Sequence, residues 1–338
     1  MAQEQKKMNY LYSDYKNIWE QLNNSLDSIY PYIQNHHVVM DDYGNITVTN
    51  SDVEEVPAFC CHLDTVHSKE PDPELIKDDI LISLNGGGIG GDDKCGIIAC
   101  LEMINSDIPC KVIFFRDEES GCKGSEKYDA KSLSKNKYLI EIDRKGATDL
   151  IFKSGSQILC DDKFKEEIMS FFPHGEEAQG IMTDVNVLGE AGINMLNLSA
   201  GYYNPHREKE YVVLSELERN IECLKFMARN YGEGREYKRE EKTYENYRSS
   251  QTSLYESYGN YPTYWGQYNN DNYDMYGQPL SSDSGSEYGG YEDSDIAWYK
   301  AQYGDQWKKY KDEDDRYMEQ LFNSCKKGKK NKKKPETK

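Results

Sequence analysis

Ala58-Phe-Cys-Cys-His-Leu-Asp-Thr-Val66 is an apolar run of strand length that stops on a histidine and an aspartate two residues apart. Side chains two apart on a strand point to the same side, so His62 and Asp64 would face one place. An imidazole there can bind a metal ion through one nitrogen while a neighbouring carboxylate fixes its ring and tautomer. A lone His-x-Asp is more often a plain surface pair, so the weight rests on how the other strands end.

Outward from this strand, Lys111–Phe115, Tyr138–Ile142, Leu150–Lys153 and Asn194–Leu198 read as further buried strands. Helical patterns alternate with them at Lys94–Ile104, Asp161–Phe171, Asp184–Glu190 and Leu214–Tyr231, the last opened by a Ser215-x-x-Glu218 capping box. Leu11, Tyr15, Ile18, Leu22, Leu26, Ile29 and Ile33 form one face of an opening helix that Pro31 helps to end. His37–Met40 and Ile46–Thr49 flank Asp-Tyr-Gly-Asn, a hairpin signal. This alternation predicts an α/β fold, a three-layer sandwich around a mostly parallel central sheet. Ligands in such folds sit at the carboxyl ends of the strands.

Those ends carry the chemistry. Gly86-Gly-Gly-Ile-Gly-Gly91 leads into Asp92-Asp93-Lys94 at a helix start. Glycine-rich loops also cradle phosphates, but no Gly-Lys-Ser/Thr follows, and paired aspartates repel phosphate unless a metal lies between. Phe114-Phe-Arg-Asp-Glu-Glu119 packs three carboxylates after a strand, which is costly without cations or solvent. The strand Tyr138-Leu-Ile-Glu-Ile-Asp143 ends in another carboxylate, and the loop Gly201-Tyr-Tyr-Asn-Pro-His206 supplies a second histidine. Two histidines and at least three carboxylates suit two divalent ions that favour oxygen and nitrogen ligands.

In this order the motifs resemble those of the co-catalytic zinc exopeptidases, the clan of peptidase T, aminoacylase- and carboxypeptidase-like enzymes, and lidless aminopeptidases. The matching segments are His62-Leu-Asp-Thr-Val66, Gly90-Gly-Asp-Asp-Lys-Cys-Gly96 with Gly91 where the peptidase T spelling has Ala, Asp117-Glu-Glu-Ser-Gly-Cys-Lys-Gly124, Thr183-Asp184, and His206-Arg-Glu-Lys-Glu210. The resemblance covers about residues 55–230 and implies one zinc ion on His62, Asp143 and a bridging Asp92. It implies a second on Glu119, His206 and the same Asp92. Glu118 would be the general base for a water activated between the ions, and Asp64 would orient His62. Asp93 would be a helix-start carboxylate, and Thr183 and Asp184 would cap the next helix. Asp143 and His206 lie only 63 positions apart, which leaves no room for the lid domain of peptidase T. The expected function is a metal-dependent exopeptidase, an aminopeptidase acting on short peptides. Alternatives are an amidase, deacylase or carboxypeptidase of the same clan, or a catalytically idle scaffold.

Other residues carry weaker readings. His36, His37 and His174 read as structural or surface groups, and His67 has an outer-shell reading besides. Tyr202 and Tyr203 read as pocket lining, as oxyanion donors or as loop packing. Arg144 and Lys145 read as solvated charges that could meet a substrate carboxylate. Cys60 and Cys61 read as small core hydrophobes.

Composition sets the frame. The 338 residues hold 60 acidic and 41 basic side chains, a formal charge of -19 that disfavours nucleic-acid binding by the body of the protein. The catalytic domain is expected at 1–232. From Tyr231 onward lie 17 of the 28 tyrosines with almost no Ile, Leu or Val, so 233–338 reads as a disordered Tyr-rich tail. A short charged helix at Ile296–Phe322 and a lysine run at 326–334 fall within it, and contact with nucleic acid, acidic lipid or protein is the alternative to plain solvation. Met1–Lys7 are polar, no apolar run nears the ~18 residues of a spanning helix, and the nine cysteines include no Cys-x-x-Cys. A cytoplasmic protein outside the membrane is therefore expected.

Overall fold

A computed structural model describes residues 9–22, 26–234, 236–238 and 316. The Tyr-rich tail otherwise lies outside the described residues, with its expected helix and lysine run.

Helices α1 (Tyr10–Asp14), α2 (Lys16–Glu20) and α3 (Leu26–Ile33) open the chain. Strands β1 (His37–Met40), β2 (Ile46–Thr49) and β3 (Ala58–His62) come next, then the hairpin of β4 (Pro73–Ile76) and β5 (Ile80–Ser83). Helix α4 (Gly91–Ile104), β6 (Lys111–Phe115), α5 (Lys123–Lys127) and β7 (Leu139–Arg144) follow. After them come β8 (Asp149–Ser154), β9 (Gln157–Ile158), α6 (Asp162–Met169) and β10 (Glu176–Gly180). The fold closes with α7 (Asp184–Val187), β11 (Met195–Ser199), β12 (Tyr202–Tyr203), β13 (Tyr211–Val213) and α8 (Leu214–Asn230).

The large sheet runs β1-β2-β6-β3-β7-β11-β8-β10, with β9 paired to β8. Its four central strands, β6, β3, β7 and β11, are mutually parallel, and the sheet turns antiparallel at β2 and again at β8. Alternate residues feed two cores. Phe59 and Cys61, Val112 and Phe114, and Ile140 and Ile142 pack on one face with α4 and α8. Ala58 and Cys60, Ile113 and Phe115, and Leu139 pack on the other with Val185 and Leu188. Strands covered on both sides need apolar residues at every position, which is why they read as unbroken runs. The result is the expected three-layer α/β sandwich. Among the described residues the span from Asp143 to His206 is taken up by β8–β12 and two helices, with no lid.

Two expectations are corrected. The opening segment is not one helix: Gln21 is extended, and Pro31 lies inside α3 rather than after it. Ser215 and Glu218 form no capping box. Instead Asp79, from the β4–β5 hairpin, accepts the Ser215 N–H (2.8 Å) and its hydroxyl (3.0 Å). A second sheet, β12-β13-β5-β4, was not anticipated, and it covers the start of α4. Among the described residues no helix is long and apolar enough to cross a membrane.

Candidate metal centre

All five expected ligands converge beyond the carboxyl ends of β3, β6 and β7. His62 ends β3 and is 1% exposed. Its Nε2 lies 3.0 Å from Asp92 Oδ1 and 3.6 Å from Asp143 Oδ1. His206 Nε2, on the β12–β13 loop, lies 3.2 Å from Asp92 Oδ2 and 3.1 Å from Glu119 Oε1. The two oxygens of Asp92 thus face two different imidazoles. Asp93 Oδ1 accepts the Gly96 N–H (2.9 Å) and Oδ2 the His62 N–H (3.3 Å), and its carboxylate also lies within 4.8 Å of ligand atoms of His62 and Asp143. It caps the helix, whose regular φ/ψ begin only after Asp92 and Asp93. The Asp92–Asp93 peptide bond is cis.

Asp64 does more than orient His62. The His62 Nδ1 meets the Asp64 backbone oxygen at 3.0 Å and its carboxylate at 3.5 Å. That carboxylate also accepts the N–H of Glu118 (3.0 Å) and of Glu119 (3.1 Å), one on each oxygen. A single residue therefore ties the end of β3 to the glutamate loop after β6. The β1–β2 turn braces the loop from outside: Asn45 accepts the Arg116 N–H and donates to the Gly124 oxygen, and the Tyr43 hydroxyl donates to Asp117. Asp117 and His206 both adopt left-handed backbone conformations, φ +56° and +63°. Strained non-glycine residues of this kind persist where the surroundings over-determine them.

The electrostatics favour cations. Burial alone would lower the His206 imidazole, yet Asp92 and Glu119 push it up to about 11. Burial pushes the Glu118 carboxyl well above the usual range, with His62 opposing and Asp143, Asp184 and Glu119 adding to it. Glu119 Oε1 is buried and close to His206 but not aligned for a hydrogen bond. Ligand atoms of His62, Asp92 and Glu119 all lie within 4.8 Å of one another. Oxygen and imidazole donors crowded so closely, one of them an orphaned buried acceptor, fit divalent metal ions.

Several contributors have no motif signal. Tyr202, 3% exposed, donates its hydroxyl to Asp143 Oδ1 at 3.0 Å, so it is spent on a candidate ligand rather than held out to an oxyanion. Tyr203 is bonded to Glu216 and stacked on Tyr211, away from this role. Asn197 brackets the Asp143 backbone, accepting its N–H and donating to its oxygen, both at 3.0 Å. Glu141, fully buried, accepts the Thr183 hydroxyl (2.5 Å) and the Asp184 N–H (3.0 Å). Thr183 also caps α7 in a box with Asn186. Burial raises Asp184 to about 7 although the Ser125 hydroxyl, 2.5 Å away, opposes the shift. Arg144 pairs through Nε with Asp149 at 3.0 Å. His36 meets Asn105 at the surface, and Cys60 and Cys61 are fully buried.

No family model and no curated protein sequence matches this chain. Its fold is found among solved structures. The aminopeptidase PepT from Bacillus cereus superposes with a TM-score of 0.53 at 16% identity, covering 64% of this chain and 97% of that one. A tripeptidase from Staphylococcus aureus gives 0.52 at 15% identity, covering 66% and 99%. An aminopeptidase from the archaeon Desulfurococcus kamchatkensis gives 0.51 at 13%, covering 65% and 94%. At such identities the likeness establishes the fold, and it is the fold that the motifs implied.

Proposed function

We propose that this chain is a two-metal exopeptidase, an aminopeptidase that removes residues from short peptides. The observation that carries the reading is Asp92, whose carboxylate presents one oxygen to His62 and the other to His206. Asp143 stands behind the first imidazole and Glu119 behind the second. His62, Asp143 and Asp92 would hold one ion; His206, Glu119 and Asp92 would hold its neighbour. Bound there, divalent ions supply Lewis-acid polarisation of a peptide carbonyl and acidify water.

The protein's own groups do the rest. The Glu118 carboxylate accepts no N–H or O–H hydrogen bond among the described residues, only a weak contact from the Cys122 thiol at 3.6 Å. Its raised affinity for a proton suits a base that takes one from the attacking water and returns it to the leaving amine. Asp64 holds the backbone of Glu118 and Glu119 together, so base and ligand keep a fixed relation. Two structures that share the fold are named aminopeptidases, which favours a free amino terminus as the substrate end, and among the described residues no lid covers the centre. All eight described cysteines are unpaired, which suits a reducing compartment such as the cytoplasm.

The test is to load the full chain with zinc, count the metal by elemental analysis, and offer tripeptides with free or blocked ends. About two zinc ions per chain are expected, with cleavage of free-amine peptides and none of N-acetylated ones. A chain that retains no zinc overturns the reading. Cleavage that instead requires a free carboxylate would reassign it to a carboxypeptidase, and deacetylation would make it a deacylase.

A further inference from the structure

The loop that delivers Asp92 is held from the small sheet by the last glutamate of His206-Arg-Glu-Lys-Glu210, to which the resemblance assigns no role. Glu210 directly precedes β13 and is 0% exposed. Its Oε2 accepts the Gly90 N–H at 2.7 Å and meets His67 Nε2 at 2.7 Å, while its Oε1 accepts the Asp92 N–H at 3.0 Å. A carboxylate removed from water is costly unless donors replace the solvent. Three N–H groups do so here, and two of them belong to the backbone that aims Asp92.

The surrounding shape is cut for this contact. At Gly88, φ +71°, a Cβ would sit 2.2 Å from His67 Cε1, so the imidazole lies against bare backbone. At Gly91 a Cβ would meet Tyr202 Cβ at 2.7 Å and Val212 Cγ2 at 2.8 Å, with Glu210 Oε1 at 3.4 Å. That crowding gives a physical reason for glycine where the peptidase T spelling has alanine: the loop is pressed onto β12 and β13 more closely than a methyl group allows.

We infer that His67 and Glu210 form a clamp that fixes the bridging carboxylate Asp92 between the two histidines. Neither residue belongs to the candidate ligand set; the two are a positioning pair, and the inference rests on the two-metal reading above. His67 donates to Glu210, Glu210 holds the Gly90 and Asp92 N–H groups at the end of the glycine loop, and the loop sets where both oxygens of Asp92 fall.

The test compares full-length wild type, His67→Ala, His67→Gln and Glu118→Ala by zinc competition against a chromophoric chelator. The visible spectrum of each cobalt-substituted chain then reports ligand geometry independently of turnover. His67→Ala is expected to weaken zinc retention about 10- to 100-fold, the usual range for an outer-shell partner, and to shift the cobalt bands. His67→Gln, whose amide can still donate to Glu210, is expected to recover most of both, and Glu118→Ala to retain zinc like wild type. Wild-type retention and spectrum in His67→Ala would overturn the clamp. So would a His67→Gln chain that melts like wild type yet loses as much zinc as His67→Ala. Should His67→Ala fail to fold, Glu210→Gln keeps the shape but cannot accept all three N–H groups; unchanged zinc affinity there also overturns the inference. Wild type that holds no zinc fails before any variant is compared, and marks the failure of the two-metal reading itself.

Discussion

Strands β3, β6 and β7 of the large sheet end in His62, the Glu118–Glu119 loop and Asp143, whereas β12 and β13 of the small sheet bring hydrogen bonds to bear on those groups. Tyr202 holds Asp143, and Glu210 holds the loop of Asp92. The large sheet is buried on both faces at its centre, so its loops are anchored by a deep apolar core. The small sheet is short and half-exposed at β4 and β13. The contrast teaches a division of labour: the sheet with the larger core carries the charged groups, and the smaller one contributes neutral or fully satisfied polar groups that aim them. His206 crosses the division, hanging from the small sheet's β12–β13 loop yet facing Asp92 and Glu119, and Asp92 opens α4 after the loop that leaves β5.

The largest expected effect lies on the large sheet. Glu118→Ala should lower peptide turnover by roughly 10²- to 10⁴-fold, the range for loss of a general base. Zinc content should stay the same, because none of the ligand set is removed. Steady-state kinetics on a tripeptide, with metal analysis of the same preparation, checks both halves. Turnover near that of wild type would remove Glu118 from the chemistry.

A sharper test asks whether the large sheet also positions its own groups. Asn45, 1% exposed, donates to the Gly124 oxygen and accepts the Arg116 N–H across the base of the glutamate loop. Asn45→Ala leaves both backbone groups buried without partners, at about 1–3 kcal/mol each. A loss of roughly 3 kcal/mol in denaturant unfolding is expected, with reduced activity in the fraction that remains folded. If stability falls while turnover per folded molecule is unchanged, the brace is structural and the division of labour stands as drawn. Tyr202→Phe is the matching test on the small sheet. It removes one hydroxyl from Asp143 and nothing from the core, so about tenfold weaker zinc binding is expected in chelator competition, with little change in melting temperature.

How much of this was legible in the sequence follows the same contrast. The four central strands announce themselves because burial on both faces demands apolar residues throughout. The candidate ligands announce themselves because metal-type residues stand at the strand ends. The small sheet gives no such signal. Its β4–β5 turn places Lys77 and Asp78 in left-handed conformations, where Gly or Asn would have marked a hairpin. Strand β10, Glu-Glu-Ala-Gln-Gly, is an exposed edge with one apolar residue and no period. The opening segment misled in the other direction. Leu11, Ile18, Ile29 and Ile33 share one core, as the spacing said, but three short helices satisfy that spacing as well as one long one. Glu210 stood in plain view four residues after His206. Nothing in His-Arg-Glu-Lys-Glu distinguishes it from Glu208, and only the path of β13 buries one of the two.

The smallest effect tests whether the small sheet matters to the fold apart from the site. Asp79 caps α8 from outside the helix, taking the Ser215 N–H and hydroxyl on its two oxygens, while its own backbone oxygen accepts the Leu214 N–H (2.9 Å). The backbone contact survives any side-chain change. Asp79→Ala should therefore cost only the cap, about 1 kcal/mol, seen as a modest drop in the unfolding midpoint at constant slope. Metal affinity and turnover should not move, since α8 packs against α1, α4 and β13 and supplies none of the candidate ligands. A loss of zinc in Asp79→Ala would mean that the β4–β5 hairpin transmits its position through β13 to Glu210. The small sheet would then be one mechanical unit, whereas selective loss of stability would leave the clamp confined to β12, β13 and His67.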